Sequence, residues 1–333
     1  MLDFNEDEFR QRIASAVALR PQVEDLADSL IEQGIDNVLL IGSGGTYAQM
    51  LPYEHLAQRR STLPVRAAIS KELIESGDSR LGKSTLAVFA SVTGTTRDVI
   101  EAIEYVKDKG AITVAFTGHP ESPIGQSVEH VLSSKPKTWP FDMQLLLLVG
   151  RLLHTRGEFP DYAKVADDLA GLPEALVKVA EAAEEGAQSF AESHKDSAYY
   201  FLIGGGPLWG FTYLYSMCIL EEMQWLHTTR VNSAELFHGS LELIEEDTSV
   251  MVFKGEDETR PLTDRAEAFT KRVSGDVTVF DTKDYELAGF SDETRALMGP
   301  IVLDTVMDRV AKHLARVRDH SLDLRRYYRV MEY

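Results

Sequence analysis

The sequence predicts an α/β protein with two tandem domains, each a mostly parallel sheet flanked by helices on both faces. Its 333 residues are enough for two domains. Apolar runs of strand length alternate with helical segments, a pattern typical of parallel sheets covered by helices. A strand–glycine turn–helix pattern at Asn37–Met50 recurs at Ala198–Met217. We therefore expect domains at 1–155 and 196–333, joined by a helical connector at 156–195.

The predicted elements follow the chain in order. An acidic N-terminal helix precedes the first strand, and the apolar runs "PVRAAIS", "TLAVFAS", "AITVAFTG" and "VEHVLS" predict the other strands of the first sheet. The segment "EALVKVAEAAEEGAQSFAESH" predicts one long connector helix. In the second sheet, a strand at Tyr200–Ile203 is followed by the runs "SVMVFKG", "DVTVFDT" and "GPIVLDTV".

The overall charge argues against a nucleic-acid partner. The chain has 53 acidic and 34 basic residues, a formal net charge of −19, and no cluster of Lys and Arg. Such a chain repels anions at long range, so an anion would have to be bound by local backbone and hydroxyl donors.

The cellular location of the protein is predicted from its single cysteine and from the length of its apolar runs. Cys218 has no partner for a disulfide within the chain. The start of the sequence, "MLDFNEDEFRQR", does not have the apolar stretch of a signal peptide, and the longest apolar run, "MQLLLLVG", is too short to cross a bilayer. We expect a cytoplasmic protein without a membrane partner.

A hydroxyl-rich turn, "SVTGTT" at Ser91–Thr96, lies between a buried strand and a helix at Asp98–Lys109. Such a turn directs N–H groups and hydroxyls to one point at a helix N-terminus, where an anion is favoured. Ser and Thr are also the ordinary residues of helix caps. From these residues alone, an anion site and a simple cap both remain open.

Other cofactor motifs are not found in the sequence. Neither glycine turn fits the dinucleotide fingerprint with its downstream acidic residue, and the sequence has no P-loop. His313 and His320 do not have the spacing of metal ligands. We expect no metal and no cofactor.

With these motifs, the chain resembles the sugar isomerase (SIS) domain family. The resemblance is based on two α/β halves, on "IGSGGTY" after the first strand and on "SVTGTT" after a later one. In that family both turns hold the phosphate of a phosphosugar, and Thr93 stands where a serine is usual. The resemblance implies that the phosphate is bound by Ser43, Gly44, Thr46, Ser91, Thr93, Gly94 and Thr96.

The second half resembles two branches of that family. Cys218–Asp247 is similar to the isomerase domain of glucosamine-6-phosphate synthase, and more similar to the fructosamine-6-phosphate deglycases. The resemblance implies that Glu222 and His238 are the catalytic pair, although Ser240 replaces a usual proline. We expect Glu222 to project from a partly apolar face of a helix at Leu208–Trp225.

The resemblance also implies a reaction and an assembly. A deglycase of this family cleaves a 6-phosphorylated fructosamine to glucose 6-phosphate and an amine by moving a proton between C1 and C2, with no external cofactor. The histidine loop commonly enters the neighbouring subunit's site, which implies a homodimer with a shared site. Further candidate substrate contacts are Glu235, Arg260, Arg325, Arg326 and Tyr327.

Two other function classes stay open. An amino-sugar-phosphate deaminase or an aldose–ketose phosphosugar isomerase would use the same Glu222, His238 and phosphate turn. A phosphosugar-binding regulator without catalysis would have no need of that pair, and the sequence has no basic recognition helix before its first strand. The sequence leaves open which amine the substrate contains.

Overall fold

The computed structural model describes residues 1–332, which form two compact units. The N-terminal unit consists of Glu6–Pro173 and Gly289–Thr294. The C-terminal unit consists of Met1–Asn5, Glu174–Ala288 and the chain from Arg295 onward. Each unit is built on one parallel sheet flanked by helices, which confirms the predicted fold class.

The N-terminal unit has a five-stranded sheet in the order β2-β1-β3-β4-β5. Its strands are β1 (Asn37–Gly42), β2 (Val65–Ile69), β3 (Thr85–Ser91), β4 (Ile112–Thr117) and β5 (His130–Ser133). Its helices are α1 (Glu6–Val17), α2 (Arg20–Glu32), α3 (Gly45–Arg60), α4 (Ser70–Ser76), α5 (Arg97–Asp108), α6 (Pro123–Ser127), α7 (Asp142–Thr155) and α8 (Tyr162–Asp168).

The C-terminal unit has a four-stranded sheet in the order β7-β6-β8-β9. Its strands are β6 (Tyr199–Gly204), β7 (His227–Asn232), β8 (Ser249–Lys254) and β9 (Val277–Asp281). The helices from here to the end of the chain are α9 (Leu172–His194), α10 (Leu208–Leu214), α11 (Glu222–Gln224), α12 (Arg260–Val273), α13 (Asp292–Leu297) and α14 (Gly299–Val317).

The central strands are buried along their whole length, which explains their unbroken apolar sequences. Every residue of β1, β3 and β8 is buried, as expected for a parallel sheet covered on both faces. In the N-terminal unit, Ile41 of β1 lies opposite Phe89 of β3, and both pack against Val99 and Ile103 of α5. Local apolar patterning and tertiary burial therefore agree in the core.

One predicted strand is wrong. The run "GPIVLDTV" is the first two turns of α14, not a strand. Pro300 occupies the first turn, where a proline is tolerated, and the buried positions Ile301, Thr305 and Val306 continue at helical spacing through Leu314. Because this helix is buried on most sides, its short apolar start is not distinguishable from a buried strand by periodicity.

Two features of the C-terminal unit were not predicted. The edge strand β7 has the polar sequence "HTTRVN", of which only Val231 is fully buried, so it shows no apolar alternation. The helix expected at Leu208–Trp225 begins at Leu208 but has a π-helical segment at Tyr215–Glu221 and ends at Gln224, with Trp225 in the left-handed conformation. Segments of this kind are frequent at functional sites.

Candidate active site

The two predicted phosphate turns follow neighbouring strands of the N-terminal unit. Strands β1 and β3 are paired, and the chain leaves them toward opposite edges of the sheet, to β2 and to β4. Ligands of open α/β sheets bind at such a topological switch point, beyond the carboxyl ends of the strands. The turns at Ser43–Thr46 and Ser91–Thr96 both begin there.

The first turn has an unsatisfied donor. Thr46 Oγ1 accepts the Ser43 N–H at 3.2 Å and donates to the Ser43 carbonyl at 3.0 Å, so it closes the turn on itself. Gly44, with a φ of 59°, is the N-cap residue of α3 and has no side chain that could bond to the first N–H groups of the helix. Ser43 Oγ is buried and has no hydrogen-bond partner within residues 1–332. A buried hydroxyl without a partner is costly, and a bound anion would satisfy it.

The second turn depends on a glycine that no other residue can replace without movement. Gly94 has a φ of 65°, and a Cβ built on it would lie 1.9 Å from Ser122 Oγ. Its N–H donates to Ser91 Oγ at 2.9 Å, and its carbonyl accepts the Ile124 N–H at 3.0 Å. These two hydrogen bonds fix the conformation of the turn at Gly94.

The threonines of this turn are available to a ligand. Thr93 is exposed, and its Oγ1 accepts a bond from Thr95 Oγ1 at 3.0 Å. Thr96 is the N-cap residue of α5, but its side chain makes no capping bond. The first turn of α5 therefore keeps N–H groups that the cap residue does not satisfy, a favourable place for an anion.

A buried carboxyl group supports the first turn from behind. Asp142 of α7 accepts hydrogen bonds from Tyr53 Oη at 3.0 Å and from Gln49 Nε2 at 3.0 Å, both on α3. Burial raises the pKa of Asp142 to about 6, against these two hydrogen bonds. The contacts hold the helix that begins at the phosphate turn.

The switch point of the C-terminal unit lies between β6 and β8, and its turns are filled by the protein's own side chains. Asp257, almost fully buried, accepts the Thr259 N–H at 2.8 Å and the Thr259 hydroxyl. Thr259 in turn lies against Gly206. Ser233 Oγ, unpartnered among the described residues, lies against Gly205. A buried carboxylate at this point disfavours an anion.

Arg260, predicted as a substrate contact, belongs to this second switch point. Its guanidinium forms a bidentate pair with Asp281 and donates to the Gly255 carbonyl at 2.7 Å. The hydrogen bonds to Asp281 hold the pKa of Arg260 above its usual value. Its donors therefore stabilise the end of the sheet.

Glu222 begins the α-helical turn that follows the π segment. Its Oε1 accepts a hydrogen bond from Arg325 Nε at 2.9 Å, and the carboxylate side chain is 28% exposed. A guanidinium therefore lies against the carboxylate, and Trp225 and Leu226 line the cavity beside it, so its surroundings are partly charged and partly apolar. The arginine comes from the C-terminal segment, 103 residues away.

Glu221 has a different role from its neighbour. Its Oε1 accepts hydrogen bonds from Thr228 Oγ1 and, at 3.1 Å, from Arg230 of β7. These bonds tie the π segment to the edge strand. Of the two adjacent glutamates, Glu221 is held in the fold and Glu222 faces the C-terminal segment.

A cavity of about 710 Å³ lies beside Glu222, within the size range of small-molecule sites. The structure thus brings Glu222 together with three further predicted residues, Arg325, Arg326 and Tyr327. The guanidinium of Arg326 lies 4.1 Å from the ring centroid of Trp225. The cavity is lined by Glu221, Glu222, Trp225, Leu226, His227, Thr228, Arg325, Arg326, Tyr327 and Tyr328.

His238 and Glu235 lie on a separate, exposed loop of the same unit. His238 ends a short 3₁₀ turn, Leu236–His238, and neither it nor Glu235 lines the cavity beside Glu222. The hydrogen bond between them joins backbone atoms, the His238 N–H and the Glu235 carbonyl, at 3.0 Å. Within residues 1–332, the Glu235 carboxylate makes no hydrogen bond to the imidazole.

Within residues 1–332, every helix is too short or too polar to cross a lipid bilayer. In the same residues, His, Cys, Asp and Glu side chains form no group of three or more that could hold a metal ion.

Two parallel sheets, the first with two glycine- and hydroxyl-containing turns at its switch point, define an α/β protein of the class that the sequence predicts. The chain belongs to the SIS domain family: the SIS domain model matches residues 33–138. It is 30% identical over 321 residues to the fructosamine deglycase FrlB of Bacillus subtilis, covering 94% of this chain and 97% of the relative. It is 28% identical to the fructoselysine 6-phosphate deglycase of Escherichia coli K12, covering 92% of this chain and 90% of that relative.

Solved structures share the whole architecture. A Bacillus subtilis structure described as a phosphosugar isomerase superposes with a TM-score of 0.89 at 29% identity, over 96% of this chain and 99% of that one. The C-terminal domain of glucosamine-fructose-6-phosphate aminotransferase from Francisella tularensis superposes with a TM-score of 0.80 at 15% identity, over 96% of both chains. The latter similarity shows the fold alone.

Proposed function

We propose that this protein is a deglycase that cleaves a 6-phosphorylated fructosamine to glucose 6-phosphate and a free amine. The observation on which the proposal rests is the position of Glu222, a carboxylate at a cavity of substrate size in a chain whose full-length relatives are named deglycases. The aminotransferases of the family are matched over a smaller part of their length, 37% for that of Fusobacterium nucleatum.

The proposed phosphate site is the switch point of the N-terminal unit. The unpartnered Ser43 Oγ, the Thr93 and Thr96 hydroxyls and the start of α5 supply neutral donors. Neutral donors at a helix N-terminus bind a phosphomonoester without a counter-charge, which suits a chain of net charge −19.

The proposed chemistry at Glu222 is proton transfer. With the sugar ring open, the carboxylate removes a proton from C1, and the electrons move to the C2 carbonyl to give an enaminol. Reprotonation at C2 moves the double bond to C1 and nitrogen, and water hydrolyses that imine to glucose 6-phosphate and the amine. Among the described residues only Arg325 bonds to this carboxylate, and it does so through Oε1, which leaves Oε2 for the proton. Acid–base catalysis of this kind contributes about 10²–10⁴-fold.

His238 is proposed to transfer the proton that opens the sugar ring. Its exposure, on a loop that does not line the cavity of its own chain, supports an action in the site of a second copy. The proposal therefore includes a homodimer with a shared site.

The test is a product assay. The protein is given fructoselysine 6-phosphate, fructose-aspartate 6-phosphate and glucosamine 6-phosphate separately, and glucose 6-phosphate and fructose 6-phosphate are measured. We expect glucose 6-phosphate from a fructosamine, and a loss of about 10²–10⁴-fold in kcat in Glu222→Gln.

Glu221→Gln is the matched control, because it removes the same charge one residue away; we expect a loss of about tenfold or less. Turnover of glucosamine 6-phosphate alone would reassign the protein to the deaminases of the same fold. Full activity in Glu222→Gln would overturn the assignment of the base.

A further inference from the structure

Of the three arginines predicted near the substrate, two already have a carboxylate partner. Arg260 pairs with Asp281, and Arg325 pairs with Glu222. Arg326 contacts the ring of Trp225, and no carboxylate within residues 1–332 lies at ion-pair distance from it. The guanidinium of Arg326, on the wall of the cavity, is therefore accessible to an anionic ligand.

We infer that Arg326 binds a carboxylate on the amine half of the substrate, so that the amine released is an amino acid. The inference rests on the proposed function. The amine is attached to C1, and Glu222 acts at C1, so the group on nitrogen lies in the space beside Glu222. That space is the cavity lined by Trp225 and Arg326.

The contact between Arg326 and Trp225 suits carboxylate recognition. The guanidinium lies 4.1 Å from the centroid of the Trp225 ring, a distance at which the ring face attracts the cation and restricts its motion. The N–H donors of a guanidinium lie in its plane and match the two oxygens of a carboxylate. Trp225 itself is fixed by an edge-to-face contact with His320 at 4.5 Å.

The rest of the cavity wall is consistent with the same ligand. Tyr327 and Tyr328 line it beside Trp225, and Tyr327 is 65% exposed. Aromatic walls with one arginine that has no carboxylate partner among the described residues fit a ligand group with an apolar stem and a terminal carboxylate. A simple alkylamine has no group that would use the cation.

The test compares substrates that differ only in the carboxylate. One pair is the 6-phosphorylated fructosamine of glycine and that of glycinamide; the second is that of lysine, linked through its ε-amine, and that of cadaverine. In at least one pair we expect the wild-type protein to favour the carboxylate by about tenfold in kcat/KM. Arg326→Gln should raise KM for the carboxylate substrate about tenfold, with kcat and the other substrate within about twofold.

Arg329→Gln is the matched control. It removes the same charge from the same segment, but Arg329 contacts Tyr328 and does not line the cavity, so the preference should be retained. Arg326→Lys keeps the charge but loses the planar fork, so it should restore only part of the preference. Thermal unfolding of each variant checks that the fold is intact.

The outcomes separate the two proposals. Turnover of all four compounds without a preference would overturn the role of Arg326 and leave the deglycase standing. An equal loss on both members of each pair in Arg326→Gln would show that the guanidinium binds the shared sugar phosphate, and would also overturn it. No turnover of any of the four compounds would overturn the deglycase proposal and this inference with it.

Discussion

The two sheets of this protein have the same strand order at their centres but different switch points. In each, the first strand lies between the second and the third, as β1 does in the N-terminal unit and β6 in the C-terminal unit. In the N-terminal unit the turns at that point offer the Ser43 hydroxyl and the start of α5. In the C-terminal unit Asp257 and Thr259 bond to each other there.

The difference supports different roles for the two switch points. A switch point becomes an anion site only where its turns leave donors unsatisfied. Where a carboxylate of the chain occupies the turn, the same topology is structural. In the C-terminal unit the proposed base, Glu222, lies away from the switch point, directly after the π-helical segment.

The largest expected effect on the phosphate site is that of Gly94→Ala. The added Cβ would lie 1.9 Å from Ser122 Oγ, at a φ of 65°. The turn must move, and binding of glucose 6-phosphate should weaken at least about tenfold, measured by titration calorimetry.

Gly157→Ala separates backbone strain from the clash. Gly157 lies in the same unit with a φ of 77°, and nothing lies within 4 Å of its added Cβ. It should lower the free energy of unfolding by about 1 kcal/mol and leave binding unchanged. Equal binding losses in both glycine variants would contradict the role given to the turn.

A smaller effect is expected for Ser43→Ala. The variant removes a buried hydroxyl without a partner, so the free energy of unfolding should stay the same or rise, while glucose 6-phosphate binds about three- to tenfold more weakly. Ser70→Ala is the control, because Ser70 Oγ donates to the Gly42 carbonyl at 3.1 Å. That variant should lose about 1 kcal/mol of stability and keep its affinity. The reverse pattern would argue against a ligand at Ser43.

No effect on binding is expected for Asp257→Ala. The variant removes the acceptor of the Thr259 N–H and should lower the free energy of unfolding by about 1–2 kcal/mol, measured by denaturant titration. Affinity for glucose 6-phosphate should stay within about twofold of wild type. A weaker affinity would mean that the second switch point also binds the ligand.

Much of the fold follows from local sequence, and the exceptions have physical reasons. The strands β1, β3, β6 and β8 were predicted because full burial requires unbroken apolar runs. The edge strand β7 was missed because it is mostly unburied, and the start of α14 was misread because a helix buried on most sides has no polar face.

The candidate site also consists of some residues that local sequence predicts and others that depend on tertiary structure. The two turns of the N-terminal unit were predicted because their hydroxyls and glycines are contiguous and follow buried strands. The Arg325–Glu222 pair joins residues 103 apart, and its geometry depends on how the C-terminal segment lies against the helix. Trp225, His227 and Thr228 line the cavity without a motif, since their position depends on the end of α11 and the start of β7.

The central claim is that the switch point of the N-terminal unit, and not that of the C-terminal unit, binds the phosphate. The most direct test is titration calorimetry with glucose 6-phosphate on the wild-type protein and on Glu222→Gln, Gly94→Ala and Asp257→Ala. The account predicts one site per chain in the wild type, retained in Glu222→Gln and Asp257→Ala and weakened at least about tenfold in Gly94→Ala. Two sites per chain, or a site that survives Gly94→Ala and disappears in Asp257→Ala, would contradict it.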